Sequence, residues 1–240
     1  MKPEVVANVD CITGEGPLWH PEHERVYWVD IPNGYLYSYD PAAGTHELAF
    51  EGPPIGGFTI QEDGALLLFM AKGTIAIWRP GMKVNRDLEV VIEQIPAERN
   101  TRFNDVIAGP AGRVFCGTMP TPERPAHLYR LDPDGTLTLL LDDVGLSNGL
   151  GFTPDRRGLY YTDTRKHKIY LFDYDEATGT ITNRRDFVKV PTSEGEGHPD
   201  GMTVDAEGNV WSARWDGHCI VQYNPEGREL QRVEFPVPKV

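Results

Sequence analysis

Five segments of this chain can be laid over one another with their turns and apolar runs in register. They are GEGPLWHPEHERVYW, IGGFTIQEDGALLLF, FNDVIAGPAGRVFCG, SNGLGFTPDRRGLYY and PDGMTVDAEGNVWSA. One fixed place in that alignment falls at residues 16, 57, 105, 149 and 201, so the period runs from 41 to 52 residues. A unit of this size cannot bury its apolar face alone, and repeats of such length mark the blades of a propeller.

The fourth repeat shows the internal plan. Short strands are expected over Leu150 to Thr153, Leu159 to Thr164, Lys168 to Tyr174 and Ile181 to Val190, with turns at Pro154 to Gly158 and Glu176 to Gly179. Four short strands with such punctuation make one antiparallel blade. The first repeat matches it over Val26 to Asp30, Tyr35 to Tyr39 and His46 to Phe50, and the fifth over Val210 to Ala213, Cys219 to Tyr223 and Glu229 to Phe235. No amphipathic helix stands out, and the prolines of Met119 to Ala126 suit a loop. The fold class is therefore all-β, with residues 1–240 read as a single propeller domain. Glu4 to Asp10, EVVANVD, reads as a strand with no blade of its own. The expectation is a six-bladed ring of which this chain supplies five blades and an N-terminal closing strand, with the C-terminal blade lacking.

Charge and cysteine usage narrow the partners. A formal charge of −13 disfavours nucleic acid and anionic membrane surfaces and suits a protein that attracts cations. Cys11, Cys116 and Cys219 are widely spaced and form no CxxC pair, which points to reduced thiols and a cytoplasmic protein. The N-terminus lacks an apolar signal core, and the longest apolar run, Ala65 to Ala71, is too short to span a bilayer. A monomer or weak dimer is expected.

The repeat column just before the aligned strands reads Glu15, Gly56, Asn104, Asn148 and Asp200. Taken singly, Asn148-Gly149 and Asp200-Gly201 read as hairpin turns, Glu15 as a solvated acid and Asn104-Asp105 as a local turn. Yet the distal turns are already supplied by Glu62-Asp63-Gly64, Asp155 and Glu207-Gly208. Stacked repeats place one column around one axis, so two carboxylates and two carboxamides there point to a hard metal ion. An oxygen-only set favours Ca2+; Mg2+ and Mn2+ are allowed, and Zn2+ is the less natural occupant.

Other residues carry less. His20 and His23 lie in a turn and read as surface residues, His198 as a loop residue near Asp200, and His127 and His218 as structural. Ser147 and Ser193 lack a nucleophile-elbow setting, and no Gly-rich Lys-Ser/Thr loop supports nucleotide binding.

The motifs GEGPLW, YWVD, RFND, PAGRVFCGTM, LSNGLGFTPD and PDGMTVDAEGNVW occur in order from Gly14 onward. Together they resemble the senescence marker protein/gluconolactonase family, which includes regucalcin and the sugar lactonases. The resemblance implies a six-bladed propeller with one divalent ion in the channel. It implies Glu15, Asn148 and Asp200 as ligands, with Asn104 nearby directly or through water, and Arg102 on substrate oxygens. The family's acidic substrate contact after GTM has only Glu123 as a counterpart, at a shifted offset. The chemistry implied is hydrolysis of a sugar lactone to its aldonic acid, with Asp200 as general base. The alternatives are an organophosphate hydrolase using the same ion, a non-catalytic calcium-binding or interaction propeller, and an inactive fragment.

Overall fold

The computed structural model describes residues 3–240. The chain is all-β and of the propeller class: twenty strands form five four-stranded sheets, each with its strands in sequence order. The first sheet holds β1 (Gly14–His20), β2 (Arg25–Asp30), β3 (Tyr35–Asp40) and β4 (Thr45–Glu51). The second holds β5 (Ile55–Ile60), β6 (Leu66–Met70), β7 (Ile75–Trp78) and β8 (Glu89–Ile92). The third holds β9 (Phe103–Ala108), β10 (Val114–Thr118), β11 (Ala126–Leu131) and β12 (Leu137–Val144). The fourth holds β13 (Ser147–Phe152), β14 (Gly158–Asp163), β15 (Lys168–Asp175) and β16 (Thr180–Lys189). The fifth holds β17 (His198–Val204), β18 (Val210–Trp215), β19 (Cys219–Tyr223) and β20 (Glu229–Glu234). The strands expected in the first, fourth and fifth repeats all form, their ends displaced by a few residues at most.

The chain divides into two compact units, Glu4–Ala108 and Gly109–Val240, with the boundary directly after β9. In the first, alternation decides which side chains are buried. Tyr27 and Val29 of β2 and Leu36 of β3 meet Ile55, Phe58, Leu66, Leu68, Met70 and Trp78 of the second sheet in one core. β6 reads LLLFM and is buried throughout, as an apolar run covered on both faces should be. In the second unit Tyr160 and Ile169 pack with Val188, Val210, Cys219 and Val221, joining the fourth and fifth sheets. Apolar burial of this kind is worth roughly 25 cal/mol per Å2 and drives the stacking that single repeats cannot achieve.

The distal turns follow the expected chemistry. The carboxylate of Asp63 accepts the Ala65 N–H, that of Asp155 the Arg157 N–H, and that of Asp205 the N–H groups of Glu207 and Asn209. Gly64 and Gly208 take φ of +79° and +85°, where any other L-residue would be strained.

Two expectations fail. Glu4 to Asp10 forms no strand. Its neighbouring backbone donors are spent locally: Cys11 N–H on the Val9 carbonyl at 2.8 Å, and those of Ile12 and Thr13 on the Asp30 carboxylate at 3.2 and 3.0 Å. His20 is not a surface residue but fully buried. Its Nδ1 accepts the His23 N–H at 3.2 Å, and its Nε2 lies 2.9 Å from the Gly64 carbonyl, so the ring donates there and joins two turns. His23 stacks on it at 3.6 Å, which is why both rings are drawn in.

Candidate functional site

The column of oxygen donors lies inside the first strand of each sheet, not in turns. Asn148 and Gly149 sit within β13, and Asp200 and Gly201 within β17, so the hairpin reading of these dipeptides is overturned. In four of these strands the pairing slips at the column itself. The shifts fall between Glu15 and Leu18, Ile55 and Gly57, Asn148 and Leu150, and Pro199 and Met202. A bulge of this kind breaks the alternation of faces, bends the strand and re-aims a side chain, which is why bulges gather at functional sites.

In the unit Glu4–Ala108 the column supplies Glu15, Gly56 and Asn104. Glu15 is half-buried opposite Val29. Gly56 is glycine for a packing reason: a Cβ there would lie 2.0 Å from the Phe103 carbonyl oxygen, so β5 and β9 touch backbone to backbone. That contact sets Phe103 and hence Asn104. The Arg102 guanidinium donates through Nη1 to the Phe103 carbonyl and to Oδ1 of Asn104, both at 2.8 Å. Burial lowers the pKa of Arg102, and the charge of Glu15 opposes that shift. Next in the chain, burial lifts the Asp105 carboxyl to about 6 against one backbone hydrogen bond from Val106.

In the unit Gly109–Val240 the column supplies Asn148 and Asp200, 8% and 5% exposed. The Asn148 amide nitrogen donates to Thr164 Oγ1 at 3.0 Å, and that hydroxyl donates to the Pro199 carbonyl at 2.8 Å. The amide is thereby fixed to the strand that carries Asp200. Gly149 makes the approach feasible, since a Cβ there would meet the Asp200 carbonyl oxygen at 2.5 Å and Thr162 Oγ1 at 2.8 Å. Thr164 belongs to a short 3-10 turn, Thr164–Lys166, whose N-cap is the buried carboxylate of Asp163. Sequence reading missed Thr164, because a threonine ending the run LYYTDT carries no mark of its contact with Asn148.

Glu123 is exposed on the loop between β10 and β11, and its backbone N–H donates to Thr121 Oγ1 at 3.2 Å. His198 is exposed, with its Nδ1 3.1 Å from Nε2 of His167. No three His, Cys, Asp or Glu side chains cluster among the described residues. The donor set is instead two carboxylates and two amides. Each unit supplies one carboxylate and one amide of this column, hard oxygen donors of the kind a divalent cation takes, and the Asn148 amide is held by the sort of outer hydrogen bond that orients metal ligands.

The model of one protein family, described as SMP-30/Gluconolactonase/LRE-like region, matches residues 13–240. The chain belongs to this family. Among its members, the pentonolactonase XacC of Haloferax volcanii is 48% identical over 98% of this chain and 78% of its own length. Regucalcin of Gallus gallus is 33% identical over 100% of this chain and 81% of its own. In fold, the crystal structure of a calcium-binding protein, regucalcin, from Agrobacterium tumefaciens superposes with a TM-score of 0.88 at 24% identity. It covers 98% of this chain and 78% of that one. Among the described residues no helix is long and apolar enough to cross a membrane.

Proposed function

We propose that this family member is a metal-dependent lactonase that opens a sugar lactone to its aldonic acid. The relatedness to a pentonolactonase over nearly the whole chain carries this reading. The oxygen donors at bulged positions support it.

Glu15, Asn148 and Asp200 would hold the ion, Ca2+ being the natural occupant of such a set, with Mg2+, Mn2+ and Zn2+ as alternatives. When bound, such an ion polarises the lactone carbonyl and offsets the charge that grows on its oxygen. Asn104 falls to the substrate side, because its Oδ1 already accepts from the Arg102 guanidinium. Arg102 keeps further N–H donors of its planar fork for substrate hydroxyls. Asp200 accepts a proton from the attacking water as the water oxygen bonds to the carbonyl carbon. The ring C–O bond then breaks, and a proton passes to the departing ring oxygen. Glu123 is a hydroxyl acceptor further out on its loop.

A six-bladed ring, with residues 1–240 in one domain, belongs to the same proposal. The face of the first sheet opposite its core supports it, for Trp28 and Tyr37 stack there at 5.3 Å and remain half-exposed. Three widely spaced cysteines with no CxxC pair suit a reducing compartment such as the cytoplasm.

The test is proton release from pentono- and hexonolactones after chelation and after return of single ions. A rate above background that vanishes with chelator and returns with one ion is the expected result. No rate with any ion would remove the lactonase reading and leave the non-catalytic propeller.

A further inference from the structure

Beside the Asn148–Thr164 contact, the second unit holds an open groove of about 480 Å3. One wall is the loop Pro120 to Pro125, and the other is Asp143, Val144, Gly145, Arg165 and Lys166. Arg165 directly follows Thr164, so the groove starts one residue from the partner of Asn148.

The charges of this groove are unevenly committed. Lys166 Nζ lies 2.6 Å from the Asp143 carbonyl and 3.2 Å from the Asp163 carboxylate. Asp143 is in turn held by both of its oxygens on Arg184, at 3.1 and 3.0 Å. Arg124 gives an N–H to the Pro125 carbonyl at 2.7 Å. Arg165 is exposed and has no carboxylate within 4.0 Å among the described residues.

The turn that presents it is rigidly held. Asp163, 1% exposed, accepts the backbone N–H groups of Gly145, Leu146 and Lys166 at 2.9, 3.2 and 3.4 Å. Gly145 is required beneath it, since a Cβ there would meet Arg165 Cβ at 2.8 Å and Asp163 Oδ1 at 2.7 Å. The guanidinium is therefore presented from a fixed base.

We infer that this groove is a distal subsite for an oxyanion on the substrate, bound by Arg165 through its planar fork. Its ligand class is a sugar lactone carrying a carboxylate or a phosphate ester at the end remote from the lactone carbonyl. Glu123, on the facing loop, accepts from a hydroxyl of the same ligand. The inference rests on the lactonase reading for its substrate, but the groove can be probed without turnover.

Two measurements decide it. First, kcat/KM is compared for glucono-δ-lactone, glucaro-1,4-lactone and 6-phosphoglucono-δ-lactone in the wild-type chain and in Arg165→Gln. The expected result is a preference for the anionic lactones of about fivefold or more, weakened by salt and lost in the variant. Equal anionic-to-neutral ratios in the two proteins would overturn the subsite. Second, 6-phosphogluconate and gluconate are titrated calorimetrically into both proteins. Tighter binding of the phosphate by the wild type alone supports the subsite even if no lactone is hydrolysed, a result that would sink the lactonase reading by itself. Identical binding in both proteins overturns the subsite, and the ratio between carboxylate and phosphate ligands tells which oxyanion it takes.

Discussion

The amide of Asn148 is bound to the hydroxyl of Thr164 at 3.0 Å, and that hydroxyl reaches on to the backbone beside Asp200. The side chain of one proposed ligand is thus oriented by the strand of another. Thr164→Val keeps the shape but removes both hydrogen bonds, and the loss in metal affinity or kcat/KM is expected to be about 10- to 100-fold. Thr164→Ser should restore most of it. Calcium titration and kinetics of the two variants check this, and equal behaviour of valine and threonine would refute the role.

Chelation offers a readout independent of activity. An ion held at 100 times its Kd stabilises the folded chain by about 2.7 kcal/mol, so the thermal midpoint should rise when calcium is returned to chelated protein. Asp200→Asn should abolish most of that rise. A midpoint that ignores calcium in the unaltered chain would argue against the site.

Gly56 and Gly149 are places where backbones touch. Gly56→Ala puts a methyl group 2.0 Å from the Phe103 carbonyl oxygen, where only main-chain movement can relieve the clash. A destabilisation of about 2–3 kcal/mol is expected, read as a lower urea midpoint. Gly201→Ala is the control, because no atom lies within 4 Å of a Cβ there.

Asp205 sets an acid limit. Desolvation pushes its pKa up, but donors from Asn209, Trp211 and Gln222 outweigh it and hold the carboxyl at about 2. The unfolded value is roughly 3.9, so the folded state binds the proton more weakly. The stabilisation is full above pH ~4 and is lost as the pH falls towards ~2. Thermal midpoints measured from pH 5 to 2 should drop more steeply for the unaltered chain than for Asp205→Asn, which starts lower.

Asp105 acts with the opposite sign. Its carboxyl is lifted to about 6, so the folded state favours the proton, and stability falls as pH rises from roughly 4 to 6. Asp105→Asn removes that loss, and its thermal midpoint at pH 7.5 should exceed that of the unaltered chain. A lower midpoint would show that the charge is compensated by something other than proton uptake.

The sheets were legible in sequence because each blade repeats one alternation and one turn chemistry. Asp63 and Asp155 bond their turns as their residue types foretold, and the turn read at Glu207-Gly208 is bonded by Asp205. The oxygen column was read for a different reason, since only register across repeats lifts Asn148-Gly149 above an ordinary turn dipeptide. The bulge that places it there was not, because a slip of one residue leaves the composition unchanged. His20 was misread since burial of a turn histidine depends on the Gly64 carbonyl, 44 residues away. Glu4 to Asp10 has strand composition, but a strand exists only where a ladder accepts it.

The register slips also bear on how such a chain can diversify. In a regular strand, altering one residue alters either a core or an exposed face, and the core resists change. At the slip that rule is suspended. A position such as Gly56 or Asn148 answers to its own neighbours and not to the alternation of its sheet. Four repeats thus carry a site where chemistry can drift while the architecture is kept, and those sites, Glu15, Gly56, Asn148 and Asp200, hold four different residue types while the blades around them kept one plan.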